Sequence, residues 1–136
     1  MDSFFKGFID NKFDCIISPG FAVPAVKHGD SRLLAFGALY TFIFNILDMP
    51  SCTIPVDLVK KGEDEFKDSI YGADIINRFA LNTTKGSEGV PIGIQVSCLP
   101  YEDEKLCGIS RQFEEAMAFP YLPVDRVNKY KPAVSS

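Results

Sequence analysis

The 136-residue sequence predicts an α/β segment of about three strands with covering helices. Three short apolar runs are bounded by proline or glycine, a pattern typical of buried strands. Longer stretches between and after these runs repeat their apolar residues at helical spacing. Hydrophobic residues make up 46% and charged residues 24% of the chain, which is an ordinary globular balance and argues against disorder throughout. The length is sufficient for one domain.

The first predicted pair of elements is a strand followed by an apolar helix. Residues 14–18 form a short apolar run that a Pro-Gly pair ends, as in a strand covered on both faces. Asp30 or Ser31 can then cap a helix by accepting the free N–H groups of its first turn. This helix is expected to reach about Leu47, and Pro50 stops it because proline has no amide hydrogen to donate.

The middle of the chain predicts a second strand and a more polar helix. Residues 52–56 read as a strand with Pro55 at its end, because proline cannot donate a ladder hydrogen bond. If the first two strands are parallel, their helical connection should be right-handed. Residues 68–81 then predict a helix in which Asp74 can pair with Arg78 one turn later.

The last predicted pair is a strand followed by an amphipathic helix. In residues 92–98 the apolar side chains alternate with Gly93, Gln95 and Ser97, which places the two sets on opposite faces. The acidic run 102–104 favours a helix start, because the helix dipole stabilises negative charge in the first turn. The buried stripe of this helix is expected to consist of Leu106, Ile109, Phe113 and Ala116.

Charge and composition exclude several classes of function. The net charge of −4 and the absence of a basic cluster argue against nucleic acid as a partner. The cysteines contain no C-x-x-C pair and His28 is the sole histidine, so neither a metal site nor any cofactor is expected. The four cysteines, Cys15, Cys52, Cys98 and Cys107, are predicted to be buried free thiols, which favours an intracellular setting.

The most apolar stretch, residues 33–47, is too short to cross a membrane. It has 15 residues, whereas a spanning helix needs about 20. A helix that is apolar nearly all round and too short to span is expected to be a buried core helix. The N-terminal residues mix charged with apolar side chains and match neither a signal nor a transit peptide.

Two polar residues, His28 and Asp48, are candidates for a chemical role. His28 lies in a loop and is expected to be structural or exposed, although a cysteine–histidine pair assembled in space stays open. Asp48 lies between an apolar helix and a proline, and is expected to cap the helix or to bond backbone there. The sequence contains no G-x-S-x-G nucleophile elbow and no glycine-rich phosphate loop.

Several strings occur in the order and spacing of one known family. They are D-C-I-I-S-P at 14–19, P-A at 24–25, L-Y-T at 39–41, N-I-L-D-M-P at 45–50, I-P-V at 54–56, G-V-P-I-G-I-Q-V at 89–96 and L-P at 99–100. Together with the acidic turn and terminal helix, these strings resemble the C-terminal part of the amidase-signature hydrolases. The long charged segment between them is closest to the fatty-acid amide hydrolase branch. The resemblance covers roughly residues 10–119.

The resemblance carries expectations about fold, mechanism and site. It implies the C-terminal part of an α/β/α fold over residues 1–120, incomplete as a domain, with residues 121–136 as a tail. The family cleaves amide or ester bonds with a serine nucleophile, a second bridging serine and a lysine base. No string of this sequence matches the segments that carry these groups, so no catalytic residue is assigned. By resemblance, Ala38 and Phe42, and also Ala35, would face the acyl chain of a substrate.

Two functional hypotheses follow from different classes. In the first, the chain is the C-terminal part of an amide hydrolase acting on a lipid amide, and its partner is the missing N-terminal portion of the domain. In the second, it is a non-catalytic remnant or interaction module, since cut strand edges and apolar faces invite self-association. The resemblance also raises peripheral membrane association as an expectation.

Overall fold

The computed structural model describes residues 2–26, 38–65 and 75–120. Within these ranges three strands and four helices alternate along the chain, which confirms the predicted α/β class. The elements are α1 (Asp2–Asp10), β1 (Ile16–Pro19), α2 (Leu39–Ile46), β2 (Ser51–Leu58), α3 (Ile75–Thr84), β3 (Pro91–Ser97) and α4 (Asp103–Met117). Ala35, His28, the predicted Asp74–Arg78 pair, the first parts of two predicted helices and the tail 121–136 lie wholly or partly outside the described residues.

The three strands form one antiparallel sheet in the order β1-β3-β2. β3 lies between the other two and runs antiparallel to both, with Ser97 opposite Ile16 on one side and Ser51 on the other. β1 and β2 therefore run in the same direction but do not touch. β1 and β2 are consecutive strands in the sequence, joined by α2, but in the sheet β3 lies between them.

Strand β2 is longer than its sequence predicted, and Pro55 lies inside it rather than at its end. β2 pairs only with β3 in the described sheet, so the missing N–H of a proline on its outer side costs no ladder bond. The ladder shifts register directly after this residue, between Pro55 and Asp57. An edge position beside a bulge is one of the few places where a strand tolerates proline.

Helix α4 covers the apolar face of the sheet. Ile54, Val96, Cys98 and Leu106 form the buried cluster between them, and Ile109 and Phe113 pack at its side. These contacts confirm the helical stripe except at Ala116, which is exposed at the helix end. The alternation predicted for β3 is also correct, because Val96 and Cys98 are on the α4 side while Gln95 and Ser97 face away.

The N-terminal helix α1 was not predicted. Its charged residues interrupt the apolar ones, but Phe4, Phe5, Phe8 and Ile9 have the spacing of one helix face. Phe8 is buried and meets Phe13 edge-on, with ring centroids 5.9 Å apart. Phe5 packs against the end of α2, so α1 belongs to the face of the sheet opposite α4.

Two predictions of burial are wrong. Helix α2 is not a buried core helix: of its residues only Phe44 is buried, and Ile46 is 70% exposed. Among the cysteines, Cys98 is buried but Cys107 is exposed on α4, and all of them are free thiols. No helix in the described ranges is both long and apolar enough to cross a membrane.

Candidate functional site

The candidate surface is built around the end of helix α2. Leu47 follows the helix, and Asp48 then adopts a left-handed conformation with φ of 52°. The Met49 N–H donates to the carbonyl of Phe44 at 2.9 Å, and the Asp48 N–H donates to Asn45 at 3.3 Å. These two bonds, together with the packing of Met49 on Phe44, are a Schellman motif.

This motif accounts for the string N-I-L-D-M-P at 45–50. Asp48 serves at the helix end, as predicted, but it does so through its backbone, since aspartate tolerates the left-handed region better than most residues. Phe44, Leu47 and Met49 form a buried cluster against Phe5 and Ile16. Within the described residues this cluster anchors the C-terminal end of α2, and the outer face of the helix is largely exposed.

Ala38 and Phe42 lie on that uncovered face, one helical turn apart. Phe42 is 48% exposed and Ala38 is half-buried at the helix start. The Thr41 hydroxyl donates to the Ala38 carbonyl at 2.8 Å, and the Asn45 amide donates to the Thr41 carbonyl at 3.2 Å. Local bonds therefore engage the side chains of Thr41 and Asn45, and the exposed surface of the helix is mainly apolar.

A groove of about 550 Å³ lies on the same side of the sheet, beyond the end of β1. Its walls are the chain after Gly20, up to Val26, and the start of β3 around Gly93, with Thr53 at its floor. The backbone packs tightly at Gly93, where an added Cβ would lie 3.2 Å from the Thr53 methyl group, whereas at Gly20 it would make ordinary contact with Thr53 at 3.6 Å. The groove is mostly apolar, and the sequence alone did not predict it.

A strip of polar side chains occupies the sheet face that bears this groove. The hydroxyls of Ser51 and Ser97 are 2.7 Å apart, and the Gln95 amide donates to Ser97 at 3.4 Å. Ser97 is fully buried and Gln95 nearly so. Ser18 also faces this side, and its buried hydroxyl has no partner in the described part of the chain.

Among the described residues, no general base is hydrogen-bonded to Ser51 or Ser97 of the polar strip. A nucleophilic hydroxyl needs an adjacent general base, and the contacts of Ser51 and Ser97 are with each other, with Gln95 and with backbone. The described residues also contain no group of three or more His, Cys, Asp or Glu side chains that could hold a metal ion. The half-buried Lys105 forms ion pairs with Asp14 and Glu102 on the α4 side of the sheet.

Comparison with known proteins finds a family match over most of the chain. The sequence model of the Amidase family matches residues 1–107. Fatty acid amide hydrolase 1 of Caenorhabditis elegans is 31% identical over 108 residues, which are 79% of this chain and 19% of that protein. Fatty-acid amide hydrolase 1 of Sus scrofa is 34% identical over 88 residues, which are 62% of this chain and 15% of that protein.

The match covers every described strand and the start of α4. It spans less than one fifth of the length of either relative. The helix end around Asp48, the close approach at Gly93 and the polar strip of β3 all lie within it. The family match and these relatives together show that the chain belongs to the Amidase family.

Proposed function

We propose that this chain acts as the C-terminal part of an amide hydrolase whose substrates are fatty-acyl amides. The observation that carries the proposal is the outward face of α2, where the half-exposed Phe42 lies beside Ala38 in a member of the Amidase family. The relatives named above are fatty acid amide hydrolases, which supports a lipid amide as substrate.

In this proposal the role of the chain is to bind the acyl chain rather than to cleave the amide. Ala38 and Phe42 form one wall of an acyl-chain channel, and Ala35, which lies outside the described residues, is assigned to the same wall by the family resemblance alone. Small residues next to a phenylalanine leave room for an alkyl chain while offering apolar area to cover it. The two serines and the lysine of the family's mechanism come from a separate segment, which is also the partner of this chain.

The alternative is a non-catalytic interaction module, and one observation favours it. Leu39, Phe42, Ile43 and Ile46 expose between 48% and 70% of their surface on a single short helix. An apolar patch of this kind attracts another protein surface as readily as an alkyl chain. The two proposals differ in whether acyl-chain length matters.

A segment-exchange experiment distinguishes the acyl-channel wall from the interaction module. The matching C-terminal segment of the Caenorhabditis elegans enzyme is replaced by this chain, and kcat/KM is measured for a series of straight-chain amides. Phe42→Ala should lower kcat/KM for long acyl chains about fivefold, since a half-covered phenylalanine contributes about 1 kcal/mol of burial. Short amides should be unaffected.

Tyr40→Ala is the matched control for that experiment. Tyr40 is 47% exposed, almost the same as Phe42, but it points to a different side of the helix. The proposal predicts no dependence on chain length in this variant. Equal effects of the two substitutions on long and short amides would refute the channel wall and favour the interaction module.

A further inference from the structure

Cys15 and Cys98 face each other across the ladder between β1 and β3. Ile16 pairs with Ser97, so one further step of the antiparallel register places Cys15 opposite Cys98. The Cys98 N–H donates to the carbonyl of Pro50, on the β2 side, at 3.1 Å. It therefore points away from β1, and Cys15 and Cys98 form a non-hydrogen-bonded pair. Such pairs have the shorter Cα separation, about 4.5 Å, which lies within the range of disulfides.

The two side chains also share an environment. Cys98 belongs to the buried cluster under α4, and Cys15 packs against the same cluster. The Cys98 thiol donates to the carbonyl of Asp14, the neighbour of Cys15, at 3.6 Å. Both side chains therefore lie on the α4 face of the sheet, at the same end of the ladder.

A crevice leads from solvent to one of the two sulfurs. It has a volume of about 500 Å³ and is lined by Asp14, Cys15, Lys105, Gly108, Ile109 and Gln112. Cys15 is half-buried and Cys98 has no exposed surface. Lys105 at the mouth of the crevice forms ion pairs with Asp14 and Glu102, so the entrance has no net positive charge.

We propose that Cys15 and Cys98 form a reversible oxidation site, in which a small disulfide such as oxidised glutathione oxidises the two thiols to an intramolecular disulfide. The thiolate of Cys15 attacks one glutathione sulfur, which forms a mixed disulfide and releases one reduced glutathione. The thiolate of Cys98 then attacks the sulfur of Cys15 and releases the second. One glutathione disulfide is reduced to two thiols, which carry away the two cysteine protons.

The other cysteines are not placed to compete. Cys52 is opposite Val96, so it is only a diagonal neighbour of Cys98, at about 7–8 Å, beyond the usual reach of a disulfide. Cys107 is exposed on α4 and points away from the cluster.

Burial raises the pKa of both Cys15 and Cys98, and the Asp14 carboxylate raises the pKa of Cys15 further. The thiol–disulfide exchange should therefore be slow near neutral pH.

Mapping of disulfides in the whole chain tests the site. The chain is equilibrated in oxidised and reduced glutathione, quenched in acid, treated with maleimide and digested with trypsin. The expected product links the peptide 13–27 to the peptide 86–105 and has lost two hydrogens. A link from Cys52 to Cys98, or a glutathionylated Cys15 beside a maleimide-labelled Cys98, would overturn the proposal.

Two further measurements separate geometry from intrinsic reactivity. In Cys98→Ala, Cys15 should remain as a glutathione adduct, whereas Cys52→Ser should leave the cross-link unchanged. In concentrated urea the preference for the Cys15–Cys98 link should be lost in the wild-type chain. An equal yield of this link in urea and in buffer would show that the fold does not select the pair, whether or not a variant folds.

Discussion

Replacement of Gly93 by alanine probes a close approach between strands β3 and β2. The added Cβ would lie 2.9 Å from the carbonyl oxygen of Ile54 and 3.2 Å from the methyl group of Thr53. The first of these atoms is backbone, so strand β2 itself would have to move. Overpacking of this kind costs about 1–3 kcal/mol, while removal of a strand glycine returns about 0.5–1 kcal/mol. The net expectation is a loss of about 0.5–2 kcal/mol.

The assay is urea unfolding followed by circular dichroism, with Gly108→Ala as the matched control. Gly108 lies in α4 with nothing within 4 Å of an added Cβ, so the same substitution should stabilise the chain by up to about 1 kcal/mol. The two variants are therefore predicted to shift the unfolding midpoint in opposite directions. A Gly93→Ala chain at least as stable as wild type would refute the close-packing argument.

Further predictions concern backbone strain, the apolar face and pH. Ala118 ends α4 with φ of 46°, so Ala118→Gly should raise the thermal midpoint by an amount equivalent to about 1 kcal/mol, and a lower midpoint would contradict the assignment. Asp48→Val should lose about 1–2 kcal/mol at the Schellman motif, whereas Asp48→Gly should lose nothing in the same melting experiment. Ile46→Lys should reduce self-association in sedimentation runs without lowering the midpoint, because Ile46 is 70% exposed, and an unchanged sedimentation profile would count against the apolar face. Burial raises the pKa of Cys15 and Cys98 above the ordinary value of a thiol, so the unfolded chain loses these protons first and the free energy of unfolding should fall as pH rises beyond that ordinary value. Cys15→Ala combined with Cys98→Ala should flatten this part of the pH profile, and an unchanged slope would contradict it.

The strands could be predicted because local residues fix them. Apolar runs ended by proline or glycine located all three to within a few residues, and the alternation in β3 assigned both of its faces. The strand order could not be predicted, because pairing β3 with β1 and β2 depends on contacts between residues far apart in the chain. Pro55 was placed at a strand end because the sequence does not show that β2 is an edge strand with a bulge.

The exposure of α2 follows from tertiary context that no local pattern contains. An apolar stretch predicts that a surface is covered, but it does not say by which chain segment. In the described part of the chain, the buried residues at this helix are Phe44, Leu47 and Met49. Helix α1 is not evident from the local pattern, because charged residues interrupt its apolar ones. Its phenylalanines nevertheless have helical spacing.

Labelling with a fluorophosphonate probe tests the central claim most directly. The chain is incubated with the probe alone, and then with the N-terminal part of the Caenorhabditis elegans enzyme that lacks the matching segment. The proposal predicts no labelled serine on this chain in either mixture and an increase in labelling of the N-terminal part when the two are combined. Covalent labelling of a serine on this chain alone would contradict the assignment of its role to the acyl channel.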